Sequence, residues 1–164
     1  MEEVYSYLLS QIAEERGDTT PGRDSLRDTI GKFLQNAGAE VAYGVPLGTD
    51  KGGTERSVFD IVASEGDQLR IVEVTNAVSQ SYLDKMQGRL NTLRESDVHG
   101  KLYLGIDALN QFDIISGTLR SRVKELMTNE GLGVILADEL LMVICDSYDQ
   151  LLLDEMPTFF FLNW

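Results

Sequence analysis

The chain is poor in the residues that build cross-links and metal clusters. Of its 164 residues, one is cysteine (Cys145) and one is histidine (His99). A single cysteine excludes an internal disulfide framework and a cysteine zinc cluster. A single histidine excludes a histidine-rich metal site within one chain. Cysteine usage of this kind fits a reducing, cytoplasmic setting. No stretch approaches the ~18 consecutive apolar residues that a membrane span needs, so no membrane partner is expected. Glu2 and Glu3 open the chain without the basic-then-apolar pattern of a secretory leader. Basic residues are also scarce, with 14 Lys+Arg against 27 Asp+Glu, a formal net charge of −13. That balance argues against a general electrostatic grip on nucleic acid. It leaves room for a local basic groove, or for a metal ion bridging carboxylates and phosphate.

Apolar residues are plentiful enough, at 43%, to build a core within a single domain. Val4, Leu8 and Ile12 recur at spacing four ahead of Gly17, which predicts an N-terminal helix within residues 1–17. Thr20 as a cap and Pro21 at the first helical position precede the stripe Leu26, Ile30, Phe33, Leu34 and Ala37, predicting a helix over 21–37. Three strands follow: Glu40–Leu47, Ser57–Ser64 and Leu69–Thr75. The glycine-rich loop 48–56 and the turn Glu65-Gly66-Asp67 separate them, and together they predict an antiparallel meander. Ser79 caps a helix to about Arg94, and Lys101–Asp107 reads as a fourth strand, parallel to the third through a β-α-β crossover. Phe112–Thr128 predicts one further helix, with Ile115, Leu119, Val123, Leu126 and Met127 inward. Leu132–Ala137 and Leu140–Cys145 predict two more strands, and residues 151–164 form a tail rich in aromatics (Phe159, Phe160, Phe161, Trp164). The expected whole is one α/β domain over 1–164: a mixed sheet flanked by helices, with a core over 21–107 and an addition over 108–150.

Chemistry concentrates in two strands. Phe59-Asp60-Ile61-Val62 and Ile71-Val72-Glu73-Val74-Thr75-Asn76 each place one acid inside an apolar run. Burying an unpaired carboxylate is expensive, so each acid needs a cation, a hydrogen-bond network or a metal. Neighbouring strands of a hairpin can set Asp60 and Glu73 side by side. Two like charges that close repel unless a cation sits between them. Oxygen-only ligation suits Mg²⁺ or Mn²⁺. A plain structural alternative pairs Asp60 with Arg56 or Arg70. Arg23, Arg27, Lys85, Arg89 and Arg94 lie on the helices that would flank the acids, and of these Arg23, Arg27 and Arg89 are the candidates for contact with nucleic acid. Arg120, Arg122 and Lys124 form a second basic cluster. Cys145, in an apolar strand, reads as a buried and inert thiol.

The stretch FDIVASEGDQLRIVEVTNAV, after an amphipathic helix and before a helix and a parallel strand, resembles the core of the PD-(D/E)xK nuclease superfamily. This is the restriction-endonuclease-like fold, which also includes Holliday-junction resolvases. The resemblance spans Pro21 to Asp107. It implies Asp60 as the first metal-binding acid and Glu73 as the second, holding Mg²⁺ or Mn²⁺ for phosphodiester hydrolysis by metal-activated water. The family lysine falls at Thr75, which carries no charge. Its role passes to Lys85, or to Lys51 in the loop, or else Thr75 and Asn76 position the water. The remaining possibility is a catalytically inactive module that mediates protein–protein contact or assembly. Asp28, on the polar side of the first core helix, is the accessory acid the resemblance implies. It also implies a homodimer, and the aromatic tail offers a surface for a second copy or a protein partner.

Overall fold

The computed structural model describes residues 22–47, 57–96 and 98–152. The elements in chain order are α1 (Arg23–Asn36), β1 (Glu40–Leu47), β2 (Ser57–Glu65), β3 (Gln68–Val74), α2 (Gln80–Glu95), β4 (Lys101–Asp107), α3 (Gln111–Ile115), α4 (Arg120–Asn129), β5 (Gly133–Ala137), β6 (Met142–Cys145) and α5 (Tyr148–Leu151). The predicted N-terminal helix, Thr20 and Pro21, the 48–56 loop with Lys51 and Arg56, and the tail aromatics lie outside the described residues. Among the described residues, no helix is long and apolar enough to cross a membrane.

Six strands form one mixed sheet in the order β1-β2-β3-β4-β5-β6. The first three pair antiparallel, β3–β4 and β4–β5 pair parallel, and β6 returns antiparallel. The expected meander and parallel crossover are both present. The central strands β4 and β5 are buried almost throughout, which explains their continuous apolar runs, KLYLGID and GVILA. Two cores result. On one face, Leu26, Ile30 and Leu34 of α1 pack on Ile61, Ala63, Val72, Val74 and Ile135. On the other, Leu83, Met86 and Leu90 of α2 and Val123 and Leu126 of α4 pack on Phe59, Ile71, Leu104 and Val134. Gly105 allows the close approach on the first face: a Cβ there would stand 2.9 Å from Ile30 Cδ1 and 3.0 Å from Val72 Cγ1.

One predicted helix is corrected. The segment 112–128 is α3, a single 3-10 turn over Gly117–Leu119, and α4, rather than one continuous helix. Ser116 is extended (φ −138, ψ 165) and Gly117 has φ +65, a pair of conformations that no α-helix accommodates. Ile114 of α3 is fully buried, whereas Ile115 is only partly so. The short helix α5, with Ser147 and Gln150 forming a capping box, begins before the predicted tail.

Candidate active site

Asp60 lies where the regular sheet breaks. Phe59 packs into the α2-side core, whereas Ile61 and Ala63 pack into the α1-side core. Strict alternation would place 59, 61 and 63 on one face, so the alternation resets at Asp60. The β1 residue at the matching register position is Gly44, with φ +60, between the pairs Tyr43↔Ile61 and Val45↔Phe59. A left-handed residue there lets β1 follow the same kink.

The β2–β3 ladder ends at Ile61↔Val72. One step further, side chains replace ladder bonds. The Asp60 N–H donates to Glu73 Oε1 at 3.0 Å, and the Val74 N–H donates to Asp60 Oδ2 at 2.8 Å. Each carboxylate thus accepts the backbone donor that the parting strands leave unpaired. The two acids singled out from the sequence do lie side by side.

Three cations surround them. The Arg23 guanidinium, at the start of α1, contacts Asp60 Oδ1, and its Nε donates to the Val74 carbonyl at 3.1 Å. From α2, Lys85 Nζ lies 3.9 Å and Arg89 Nη2 3.8 Å from Glu73 Oε2, both longer than a hydrogen bond. Arg89 also lies over the Phe59 ring, 5.0 Å from its centroid. The Glu73 side chain is 2% exposed. Burial, and after it the charge of Asp60, push its carboxyl above the usual carboxylate range. The Asp60 N–H and the charges of Arg89 and Lys85 oppose that shift.

The other sequence candidates fall outside this cluster or play a different part. Thr75, just past β3 and 7% exposed, donates its hydroxyl to the Ala77 carbonyl at 2.8 Å and accepts the Ala77 N–H at 3.2 Å. Its own N–H donates to the Gly105 carbonyl at 3.0 Å. Thr75 therefore fixes the turn that leads from Glu73 into α2. Asp28 is exposed and pairs with Arg27 at 3.2 Å, while Arg27 stacks over the Tyr43 ring. Arg70, a suggested partner for Asp60, faces Glu65 at 3.6 Å instead. Arg94 engages Glu130, and in the second basic cluster Arg122 pairs with Glu125 and Asp84. Cys145 is fully buried.

Sequence reasoning missed the part that two residues play. Arg23 stands in the sequence as a candidate nucleic-acid contact on a flanking helix, without sign of its ion pair with Asp60. Tyr82, one helical turn before Lys85, carries a buried hydroxyl with no hydrogen-bond partner among the described residues, and Lys85 Nζ lies 5.5 Å from its ring centroid. Its i, i+3 relation to Lys85 was the one available signal.

The donor set suits a hard divalent cation. Asp60 Oδ1 and Glu73 Oε2 are carboxylate oxygens on parting strands, the donor type that such a cation takes. Among the described residues, no group of three or more His, Cys, Asp or Glu is arranged to hold a metal. A two-carboxylate site is sufficient for Mg²⁺, which keeps several waters and binds through one or two carboxylates plus substrate phosphate.

Fold and site together define a mixed α/β domain with a charged cluster at the split between β2 and β3. No family model and no curated protein matches this chain. Solved structures do. It is similar to an XisH family protein from Nostoc punctiforme PCC 73102, with a TM-score of 0.56 and 14% identity, over 73% of this chain and 98% of that one. It is also similar to a FdxN element excision controlling factor protein from Anabaena variabilis, with a TM-score of 0.57 and 18% identity, over 76% of this chain and 100% of that one. At these identities the likeness establishes a shared fold.

Proposed function

We propose that this chain is a divergent PD-(D/E)xK-type nuclease that hydrolyses phosphodiester bonds in nucleic acid with a divalent cation. One observation carries the reading: Asp60 and Glu73 meet at the β2–β3 split with the Lys85 ammonium 3.9 Å from Glu73. On this reading Lys85, from α2, takes the part of the lysine absent at Thr75. The name of one structural neighbour, an excision controlling factor, agrees with a nucleic-acid partner.

Asp60 Oδ1 and Glu73 Oε2 would hold Mg²⁺ or Mn²⁺, which supplies an activated water and charge stabilisation on the phosphate. The protein's own groups do the rest. Lys85, about half-exposed, reaches a phosphate oxygen and balances charge developing there. Arg89, packed on Phe59, stays with Glu73 and offsets its burial. Thr75 positions the strand end and the turn into α2.

A second reading, an inactive module of the same fold, is favoured by one fact: Arg23 already neutralises Asp60. Calorimetry separates the two. Mn²⁺ should bind the wild type and fail to bind Glu73→Ala, with cleavage tested on linear, single-stranded and branched DNA. Absence of Mn²⁺ binding at millimolar concentration, both in the free protein and in the presence of DNA, overturns the nuclease reading. Binding without cleavage of any of these substrates supports the module.

A further inference from the structure

The three cations of the cluster are not equivalent. Arg89 is 18% exposed, lies over Phe59 and offsets a carboxylate that is almost fully buried. Arg23 is 44% exposed, and its anchors are the contact with Asp60, one hydrogen bond to the Val74 carbonyl and the exposed Asp24 at 3.6 Å. Asp60 itself is 13% exposed and fixed through Oδ2 by the Val74 N–H. When this pair opens, the arginine moves and the aspartate stays. The oxygen released is Oδ1, the one the metal reading needs.

We propose that Arg23 is a displaceable counter-ion. It neutralises Asp60 in the free protein and transfers to a phosphate of bound nucleic acid, which opens Asp60 Oδ1 to the divalent cation. The inference rests on the nuclease reading and adds to it a coupling between metal and polyanion. A guanidinium suits both partners, because carboxylate and phosphate each accept its fork of donors. Without a polyanion, a divalent ion must compete with Arg23 for Asp60. With one, the phosphate takes the guanidinium and the competition falls away. Linkage makes the effect reciprocal: whatever factor the polyanion adds to metal affinity, the metal adds to polyanion affinity. The chain's charge of −13 gives this coupling a purpose, since the protein has little attraction for a polyanion elsewhere.

The test is Mn²⁺ calorimetry on the wild type, Arg23→Gln and Arg23→Met, with circular dichroism confirming the fold of each. Glu73→Ala serves as the control for specific binding. Fluorescence anisotropy with a labelled, phosphorothioate-linked DNA duplex then reads DNA affinity with and without Mn²⁺. A half-exposed ion pair is worth up to ~1 kcal/mol, so both Arg23 variants are expected to bind Mn²⁺ roughly fivefold more tightly than the wild type. They should also bind the duplex more weakly, and their DNA affinity should depend less on Mn²⁺. Equal or weaker Mn²⁺ binding by both variants overturns the inference while the nuclease reading stands. No Mn²⁺ binding by the wild type or by either variant, with or without the duplex, overturns both.

Discussion

Tyr82 offers the sharpest test of the cluster's geometry. Its hydroxyl oxygen is buried with no hydrogen-bond partner among the described residues, while its ring packs against the α2-side core. A buried hydroxyl left unpaired costs roughly 1–3 kcal/mol. Tyr82→Phe keeps the ring, its packing and its contact with Lys85, and removes only the orphaned oxygen. The low end of the range applies, because the residue as a whole is only partly buried. The variant should therefore be about 1 kcal/mol more stable at pH 7, a rise in Tm of about 2–4 °C for a domain of this size. The pH dependence adds a second readout. Burial first, and then the charges of Glu73 and Asp60, hold the Tyr82 phenol above its ordinary range. Its folded pKa therefore lies above its unfolded value of about 10. Over that interval the unfolded chain releases a proton that the native state keeps, so wild-type stability falls as pH rises past about 10. The phenylalanine variant lacks this loss, and its advantage should grow between pH 7 and about 10.5. Tyr103, raised to about 12 by burial and by its hydrogen bond to Asp146, is common to both proteins and cancels. Urea denaturation at the two pH values provides the measurement. A variant less stable than wild type at pH 7, or an advantage that does not widen at high pH, refutes the reasoning.

Two further substitutions probe the frame that holds the site. Gly105→Ala should cost about 1–3 kcal/mol in urea unfolding, because the new methyl meets Ile30 and Val72 at 2.9 and 3.0 Å; Ile30→Val in the same chain should recover part of the loss. Ser79→Ala removes the oxygen that accepts the Tyr82 N–H at 3.1 Å, so it should cost about 1 kcal/mol and speed amide exchange in the first turn of α2.

The four strands of the core were legible because alternation, apolar runs and turn residues all agreed there. The β3-α2-β4 unit followed because a helix between two strands calls for a parallel crossover. Asp60 and Glu73 stood out as misfits: each is an acid in a run that otherwise asks for a buried apolar residue. The 112–128 helix misled for a reason equally physical. Ile115, Leu119, Val123 and Leu126 keep helical spacing straight through the break at Ser116 and Gly117, and Gly117 was the available warning. Arg23 left no comparable mark, since a polar residue on an amphipathic helix has no periodic signature of its partner. The change of face at Asp60 was hidden too, because nothing in the stretch Ser57–Glu65 itself marks a break in alternation. Only Gly44, with nothing crowding its Cβ position, hinted that β1 needed a left-handed residue there.

The charge distribution ties these features together. Arg23, Lys85 and Arg89 against Asp60 and Glu73 give a local balance of 3 − 2 = +1, within a chain whose formal charge is −13. Long-range attraction for a polyanion is therefore weak, and whatever affinity exists must come from contacts at the cluster itself. Those contacts are already in use inside the protein: Arg23 serves Asp60, and Lys85 and Arg89 serve Glu73. Any cation lent to a phosphate leaves a carboxylate short of charge, and the deficit is severe for Glu73 because it is buried. On the nuclease reading, a divalent ion would supply two positive charges at that point and bind carboxylate and phosphate together. On that reading, the arrangement that protects the free protein from two unpaired acids would make metal and nucleic acid depend on each other for binding.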